Sequence, residues 1–184
     1  MDGPHLERSV GHAVLALTVG DLSAFDADAL VNAANSALAG GGGVDGAIHR
    51  RGGPSIMAET LARHPEGCPT GSAVVSGAGD LNAHWVIHAV GPVWRGGWSE
   101  EREQLASAYR TALHLADELG ATTIALPALS AGIYGYPLEE AAEVALTTTR
   151  EHLLGPTDLE RATFVLFTPQ TFAVFERVLE ALPG

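Results

Sequence analysis

Short apolar runs alternate with longer helical stretches along nearly the whole chain, and this alternation restricts the fold more than any other sequence feature. The runs are His12–Val19, Ala29–Val31, Ser72–Ser76, His84–Val90, Thr122–Leu126 and Thr163–Phe167. Several are apolar at consecutive positions, as expected of strands covered on both faces. Between them lie helical segments at Val44–Arg50, Ser55–Arg63 behind Pro54, Glu100–Leu119 and Leu138–Leu154. A C-terminal helix carries Phe172, Phe175, Val178, Leu179 and Leu182 at helical spacing. In the longest helix Leu105, Ala108, Tyr109, Ala112, Leu115, Ala116 and Leu119 form one stripe, and Gly120 stops it. The pattern predicts one α/β domain over residues 1–184, with three α/β/α layers around a central mixed, largely parallel sheet. In such sheets ligands sit at the carboxyl ends of the strands.

Charge narrows the chemistry. The chain carries 22 acidic residues against 10 basic ones, a net charge of -12, and every basic residue is arginine. The absence of lysine excludes a P-loop lysine, a Schiff base and a lysine general base. The overall field repels nucleic acid, so a phosphate ligand has to be held by something local, such as backbone N–H groups and helix N-termini. A lone cysteine, Cys68, makes neither an internal disulfide nor a thiolate metal cluster. With no secretory leader and no bilayer-length apolar run, a cytoplasmic protein is expected, with no membrane partner.

Two glycine-rich loops are placed where such a ligand would sit. Gly40-Gly41-Gly42-Gly43-Val44-Asp45-Gly46 follows a strand and opens a helix. Consecutive glycines lose much entropy on folding, so they belong where φ is positive or where a ligand approaches the bare backbone; a flexible surface loop is the alternative. Gly41, Gly43 and Gly46 also fit G-x-G-x-x-G, but the preceding strand lies about eight residues away, where a dinucleotide fold has a tight turn. The acids about 20 residues on, Glu59 and Glu66, fall in or just after a helix. The second loop, Ser130-Ala131-Gly132-Ile133-Tyr134-Gly135-Tyr136-Pro137, also leads into a helix, with an aromatic between two glycines. Ala128-Leu129-Ser130-Ala131-Gly132 looks like a nucleophile elbow, yet the single later histidine, His152, shares a helix with the acids before it. A serine hydrolase is therefore not expected.

Val31-Asn32-Ala33-Ala34-Asn35 running into GGGGVDGAIH (40–49), followed by Leu126–Pro137, resembles the macrodomain family, and within it the MacroD-type ADP-ribosyl hydrolases. Gly20-Asp21-Leu22 and His88-Ala89-Val90-Gly91-Pro92 fit the same pattern, which covers about residues 14–180. The resemblance implies a hydrolase that removes mono-ADP-ribose from acidic protein side chains and deacetylates O-acetyl-ADP-ribose. A non-catalytic module that reads ADP-ribose marks is the alternative. The implied partners are ADP-ribose and ADP-ribosylated proteins, bound by a monomer without metal or cofactor.

The resemblance also implies roles for individual residues. Asp21 would accept from the adenine amino group, with Leu22 beside it; a helix cap is the other reading of Asp21. Phe167 would stack on adenine, unless it joins Phe164 in the core. Gly42, Gly43 and Val44, with Ser130, Ala131, Gly132 and Ile133, would wrap the diphosphate through their amides, and Tyr134 would lie against the distal ribose. Asn35, Asp45 and His49 would form the reacting end: Asn35 fixing ribose hydroxyls, Asp45 positioning a water or the ribose, His49 orienting Asp45 or contacting the ribose. Asp45 as a helix cap and His49 as a surface histidine stay open. Arg50 and Arg51, where relatives carry small residues, either contact an anionic group or are solvated. Trp94 and Trp98 are candidates for a rim.

Overall fold

Seven strands and five helices build the computed structural model, which describes residues 3–183. The strands are β1 (His5–Val10), β2 (Ala13–Val19), β3 (Ala29–Ala33), β4 (Ala73–Gly77), β5 (Trp85–Ala89), β6 (Thr123–Leu126) and β7 (Arg161–Leu166). The helices are α1 (Gly43–Gly52), α2 (Pro54–Arg63), α3 (Glu101–Glu118), α4 (Leu138–Leu154) and α5 (Pro169–Ala181). The sheet order is β1-β2-β7-β6-β3-β5-β4. The five inner strands run parallel, and the two edge strands, β1 and β4, pair antiparallel with their neighbours.

The expected three layers are present. α3, α4 and α5 cover one face; α1 and α2 cover the other. Residues alternate between the two cores along each inner strand. Ala29 and Val31 of β3 join the larger core with Leu105, Tyr109 and Phe164, whereas Leu30 joins Ile48, Ile56 and Val86 beneath α1 and α2. This double coverage is why the strands read as unbroken apolar runs.

Two readings of the sequence are corrected. β1 was not anticipated: His5-Leu6-Glu7-Arg8-Ser9-Val10 is an edge strand, largely open to solvent, and shows no apolar run. It folds back on β2 across a two-residue turn at Gly11-His12, with Gly11 at φ 59°. The last strand begins at Arg161 and ends at Leu166, which leaves Phe167 outside the ladder.

The parallel inner strands bring several chain segments to one edge. Asp21 follows β2, Asn35 and the first glycine loop follow β3, Trp94 follows β5, the second glycine loop follows β6, and Phe167 follows β7. From β3 the chain turns toward α1 on one face; from β6 it turns toward α4 on the opposite face. Such a reversal opens a crevice at the strand ends. The β3–β6 ladder ends at Leu30↔Ala125, before β3 itself does, so the two strands part below the crevice.

Candidate functional site

The first wall of the crevice is residues 34–46. Asn35 braces it: Nδ2 donates to the Gly40 carbonyl (2.9 Å) and Oδ1 accepts from the Ala39 amide (3.2 Å). Leu38 sits buried at φ 54°, a strained conformation for a residue with a Cβ. Gly43 has φ 58°, and a Cβ there would meet nothing within 4 Å, so packing does not account for this glycine. Gly46 is different: its Cβ would lie 2.7 Å from the Gly41 carbonyl, so α1 packs onto its own loop only with glycine there. The α1 N-terminus is capped by no side chain, which leaves its first N–H groups and the positive dipole end facing the crevice.

The second wall is residues 127–136. Tyr109, fully buried, donates its hydroxyl to the Pro127 carbonyl and accepts from the Leu129 amide, each at 2.8 Å. Burial pushes the tyrosine hydroxyl's pKa up, so it stays protonated and holds this turn from below. Ser130 has φ 65°, and its Oγ packs so close to Gly91 that a Cβ there would force the hydroxyl to turn away. The loop closes through Tyr136 N to Ser130 O (3.0 Å) and Gly135 N to Gly132 O (3.0 Å). Gly132, like Gly43, faces open space, and Ile133 is 87% exposed. The walls approach at Gly42, whose Cβ would lie 3.8 Å from Ile133 Cδ1.

At the end of the crevice nearest β2, Asp21 caps the 3-10 turn Leu22–Ala24, accepting from Ser23 N (2.9 Å) and Ser23 Oγ (2.7 Å) through Oδ1. The capping alternative for Asp21 is therefore realised, while its side chain remains 45% exposed. Arg51 is not simply solvated: its Nη2 lies 3.7 Å from Asp21 Oδ2 and its Nε donates to Ser23 Oγ. Arg50 lies over Gly46 instead. The Leu22 side chain belongs to the core under α1, so only its backbone could face a ligand. Phe167 is 80% exposed, which excludes the core alternative; Phe164 fills that place against Tyr109 and Phe175.

Asp45 lies at the bottom of the crevice and is almost fully buried. It does not cap α1, since Gly42 occupies the cap position and makes no side-chain bond. Asp45 Oδ1 instead accepts from Asn32 Nδ2 (2.8 Å) and lies 3.2 Å from His49 Nε2 one turn along the helix. Oδ2 faces Gly41, 3.5 Å from where a Cβ would be. His49 is largely buried, not a surface histidine, and its ring stacks on His88 with centroids 6.2 Å apart. Asn35, Asp45 and His49 thus surround one loop.

Sequence reasoning missed what lies behind Asp45. Asn32 and His88 are register partners on β3 and β5. Asn32 Nδ2 lies 3.1 Å from His88 Nδ1, His88 Nε2 lies 2.8 Å from Ser76 Oγ, and Ser76 Oγ donates to the Gly77 carbonyl. Burial, reinforced by the nearby His49 and His64, pushes the His88 pKa down to about 3, so the ring is neutral. The available signal was a polar residue interrupting each of two strands that are apolar on both faces.

A rim stands at the β5 end. Glu101, itself buried, accepts from the amides of Arg95 (2.8 Å), Gly97 (3.2 Å) and Ser99 (2.6 Å). Burial pushes its carboxyl up, but these donors prevail and hold the pKa low. The loop so fixed carries Trp98, 91% exposed, while Trp94 packs on Tyr136 at 4.6 Å and donates its amide to Tyr134 O. Among the described residues His114, Asp117 and His152 are close enough to hold a metal, but they lie at the opposite edge of the sheet. There Asp117 already accepts from Thr157 and Asp158 and lies 2.8 Å from His152 Nε2, which fastens α4 to α3. No helix among these residues is long and apolar enough to cross a membrane.

A doubly covered, mainly parallel sheet with two glycine loops and an uncapped helix end at its switch point defines an α/β protein built to meet an anionic ligand. Comparison with known proteins gives the family. Residues 31–145 match the Macro domain model, and the chain belongs to the macrodomain family. It is 55% identical over 170 residues to a macro domain-containing protein of Streptomyces nogalater, covering 90% of this chain and 91% of that one. It is 49% identical over 168 residues to an O-acetyl-ADP-ribose deacetylase of Klebsiella pneumoniae, covering 90% and 95%. Among solved structures, the Oceanobacillus iheyensis macrodomain with ADP superposes with a TM-score of 0.92 at 33% identity, covering 98% and 97%. The Trypanosoma brucei macrodomain in complex with ADP-ribose superposes with a TM-score of 0.81 at 38% identity, covering 89% and 68%.

Proposed function

We propose that the crevice binds ADP-ribose and that the protein is a MacroD-type hydrolase of esters at the distal ribose. Its substrates in this reading are O-acetyl-ADP-ribose and proteins mono-ADP-ribosylated on acidic side chains. Adenine lies between Asp21 and Phe167. The diphosphate lies between the α1 N-terminus at Gly42–Val44 and the loop Ser130–Ile133. The distal ribose lies under Tyr134, toward Asn35, Asp45 and His49. Backbone N–H groups supply the anion site, so an acidic protein binds a diphosphate without a basic patch. In the reaction water adds to the ester carbonyl, the bond to the ribose oxygen breaks, and a carboxylic acid and a free ribose hydroxyl are released. Binding holds the ester and the water in attack geometry, and Asp45 orients the water or takes its proton.

The observation that carries this reading is the buried Asp45 carboxylate, held on one oxygen by Asn32 and turned by the other toward the loop of Gly41. A module that only reads ADP-ribose marks has no need of it. Support for the activity comes from relatives named O-acetyl-ADP-ribose deacetylase at 49% identity. The test measures acetate release from O-acetyl-ADP-ribose and ADP-ribose release from a glutamyl-modified protein, for wild type and Asp45→Ala. Loss of about 100-fold or more in the variant, with ADP-ribose still bound, is expected of a positioned acid–base group. Tight binding by an inactive wild type would make the protein a reader; equal activity of both would remove Asp45 from the chemistry.

A further inference from the structure

Behind Asp45 runs a chain of buried polar groups whose direction is fixed by its far end. The Ser76 hydroxyl has one proton, and it goes to the Gly77 carbonyl at 2.9 Å. Toward His88 the hydroxyl can then only accept, so Nε2 of the neutral ring carries the proton and Nδ1 presents a lone pair. That lone pair and Asp45 Oδ1 both need donors, and the two protons of Asn32 Nδ2 meet them at 3.1 and 2.8 Å. Turning the Asn32 amide over would set its oxygen against a carboxylate and against the ring lone pair. The present orientation leaves Asn32 Oδ1 buried without a protein partner, a cost the structure bears to aim the nitrogen at Asp45.

We infer that Asn32, His88 and Ser76 form a hydrogen-bond relay of fixed direction, donating outward from the Asn32 amide to Asp45 on one side and through His88 and Ser76 on the other, that positions Asp45 for the hydrolysis proposed above, on which this inference rests. None of the three touches substrate in that reading, so they are positioning residues. The relay occupies Oδ1 of Asp45 and locks the carboxylate's rotation. Oδ2 is then kept for the substrate side. Because His88 stays neutral far below physiological pH, the relay keeps its direction wherever the enzyme works. His49 faces the same Oδ1 from α1, and its ring stacks on His88, so the carboxylate is clamped from the helix and from the sheet together.

The test uses the full chain with Asn32→Asp, which keeps the shape but replaces the donor by an acceptor, together with Ser76→Ala and the double variant. Expected for Asn32→Asp is a fall in kcat of about 100-fold, with the Kd for ADP-ribose changed by less than about fivefold. Ser76→Ala frees the ring to move its proton to Nδ1 and is expected to lower kcat by roughly 3- to 10-fold. Because both act through one route, the double variant should be no slower than Asn32→Asp alone. Ring nitrogen NMR of wild type should show His88 protonated on Nε2, which needs neither turnover nor a variant. Unchanged kcat in Asn32→Asp, multiplying effects in the double variant, or a proton on Nδ1 of wild type would each overturn the relay. If wild type binds ADP-ribose but releases no acetate, the hydrolase reading fails, while the tautomer of His88 still decides whether the relay exists.

Discussion

Acidification should destabilise this fold through His88 before the carboxylates titrate, and the size of the effect follows from the burial of that ring. Burial is the main cause of its low pKa, about 3 against an ordinary 6.5, and His49 and His64 add to it. Above pH 6.5 neither state binds the proton, and His88 places no penalty on folding. Between pH 6.5 and pH 3 the unfolded chain takes up a proton that the folded chain refuses, so stability falls as pH falls. At about 1.36 kcal/mol per pH unit the full window amounts to roughly 5 kcal/mol, and the part between pH 7 and pH 5 to about 2 kcal/mol. Glu7, Asp28 and Glu101, whose pKa values are held below the ordinary carboxylate range by their partners, also lose stabilisation as pH falls, but only below their ordinary values near 4, outside the interval from pH 7 to pH 5. His152, also lowered by burial against the opposing pull of Asp117, acts in the same direction as His88. The assay is urea unfolding of wild type and His88→Gln at pH 5 and pH 7. The glutamine keeps polar atoms for Ser76 and Asn32 but does not titrate. Wild type should lose about 2 kcal/mol more than the variant on going to pH 5; a difference below about 0.5 kcal/mol would refute the argument from burial.

Other consequences follow from the two walls. Gly132→Ala introduces a Cβ into open space, at a backbone angle that alanine adopts, so stability should hold or rise by about 0.4–1 kcal/mol. Calorimetry should nonetheless show ADP-ribose binding weakened by about tenfold, because the methyl group stands where the diphosphate meets the loop; unchanged affinity would remove Gly132 from the site. Phe167→Ala should leave unfolding within about 0.5 kcal/mol of wild type, since the ring is exposed. It should cost about 1–3 kcal/mol of ADP-ribose binding through lost stacking, and a full-affinity variant would exclude that stack. Tyr109→Phe removes a hydroxyl that both donates to Pro127 O and accepts from Leu129 N, and should cost about 1–3 kcal/mol in thermal unfolding; no loss would mean the 127–129 turn is held by other contacts.

How far the sequence could be read depended on how local the cause was. The strands covered on both faces and the helix stripes declare themselves in the order of apolar residues, and the α/β architecture follows from them. In the longest helix the stripe omitted Leu113, which is fully buried, because α3 packs on β4 and β5 as well as α4. β1 is legible only as Leu6 and Val10 on an otherwise polar edge, paired by a turn rather than by its own apolar content. The glycine loops were conspicuous because four adjacent glycines have no cheap structural explanation. The relay was hidden for the opposite reason. Asn32, Ser76 and His88 come from three strands, and only the register of β3, β5 and β4 brings them together. Arg51 is similar: its approach to Asp21 depends on α1 lying beside the 3-10 turn, a contact across 30 residues of chain.

The central claim is that bare main-chain amides, not basic side chains, hold the diphosphate. Its most direct test is an amide NMR titration of the protein with ADP-ribose, with AMP as the ligand lacking both the second phosphate and the distal ribose. The N–H signals of residues 43–45 and 131–134 should move together and saturate with ADP-ribose, in the manner of donors that gain an anionic acceptor, and respond only weakly to AMP. Saturable binding with both groups of amides unmoved, or with the largest changes at the arginines instead, would contradict the account.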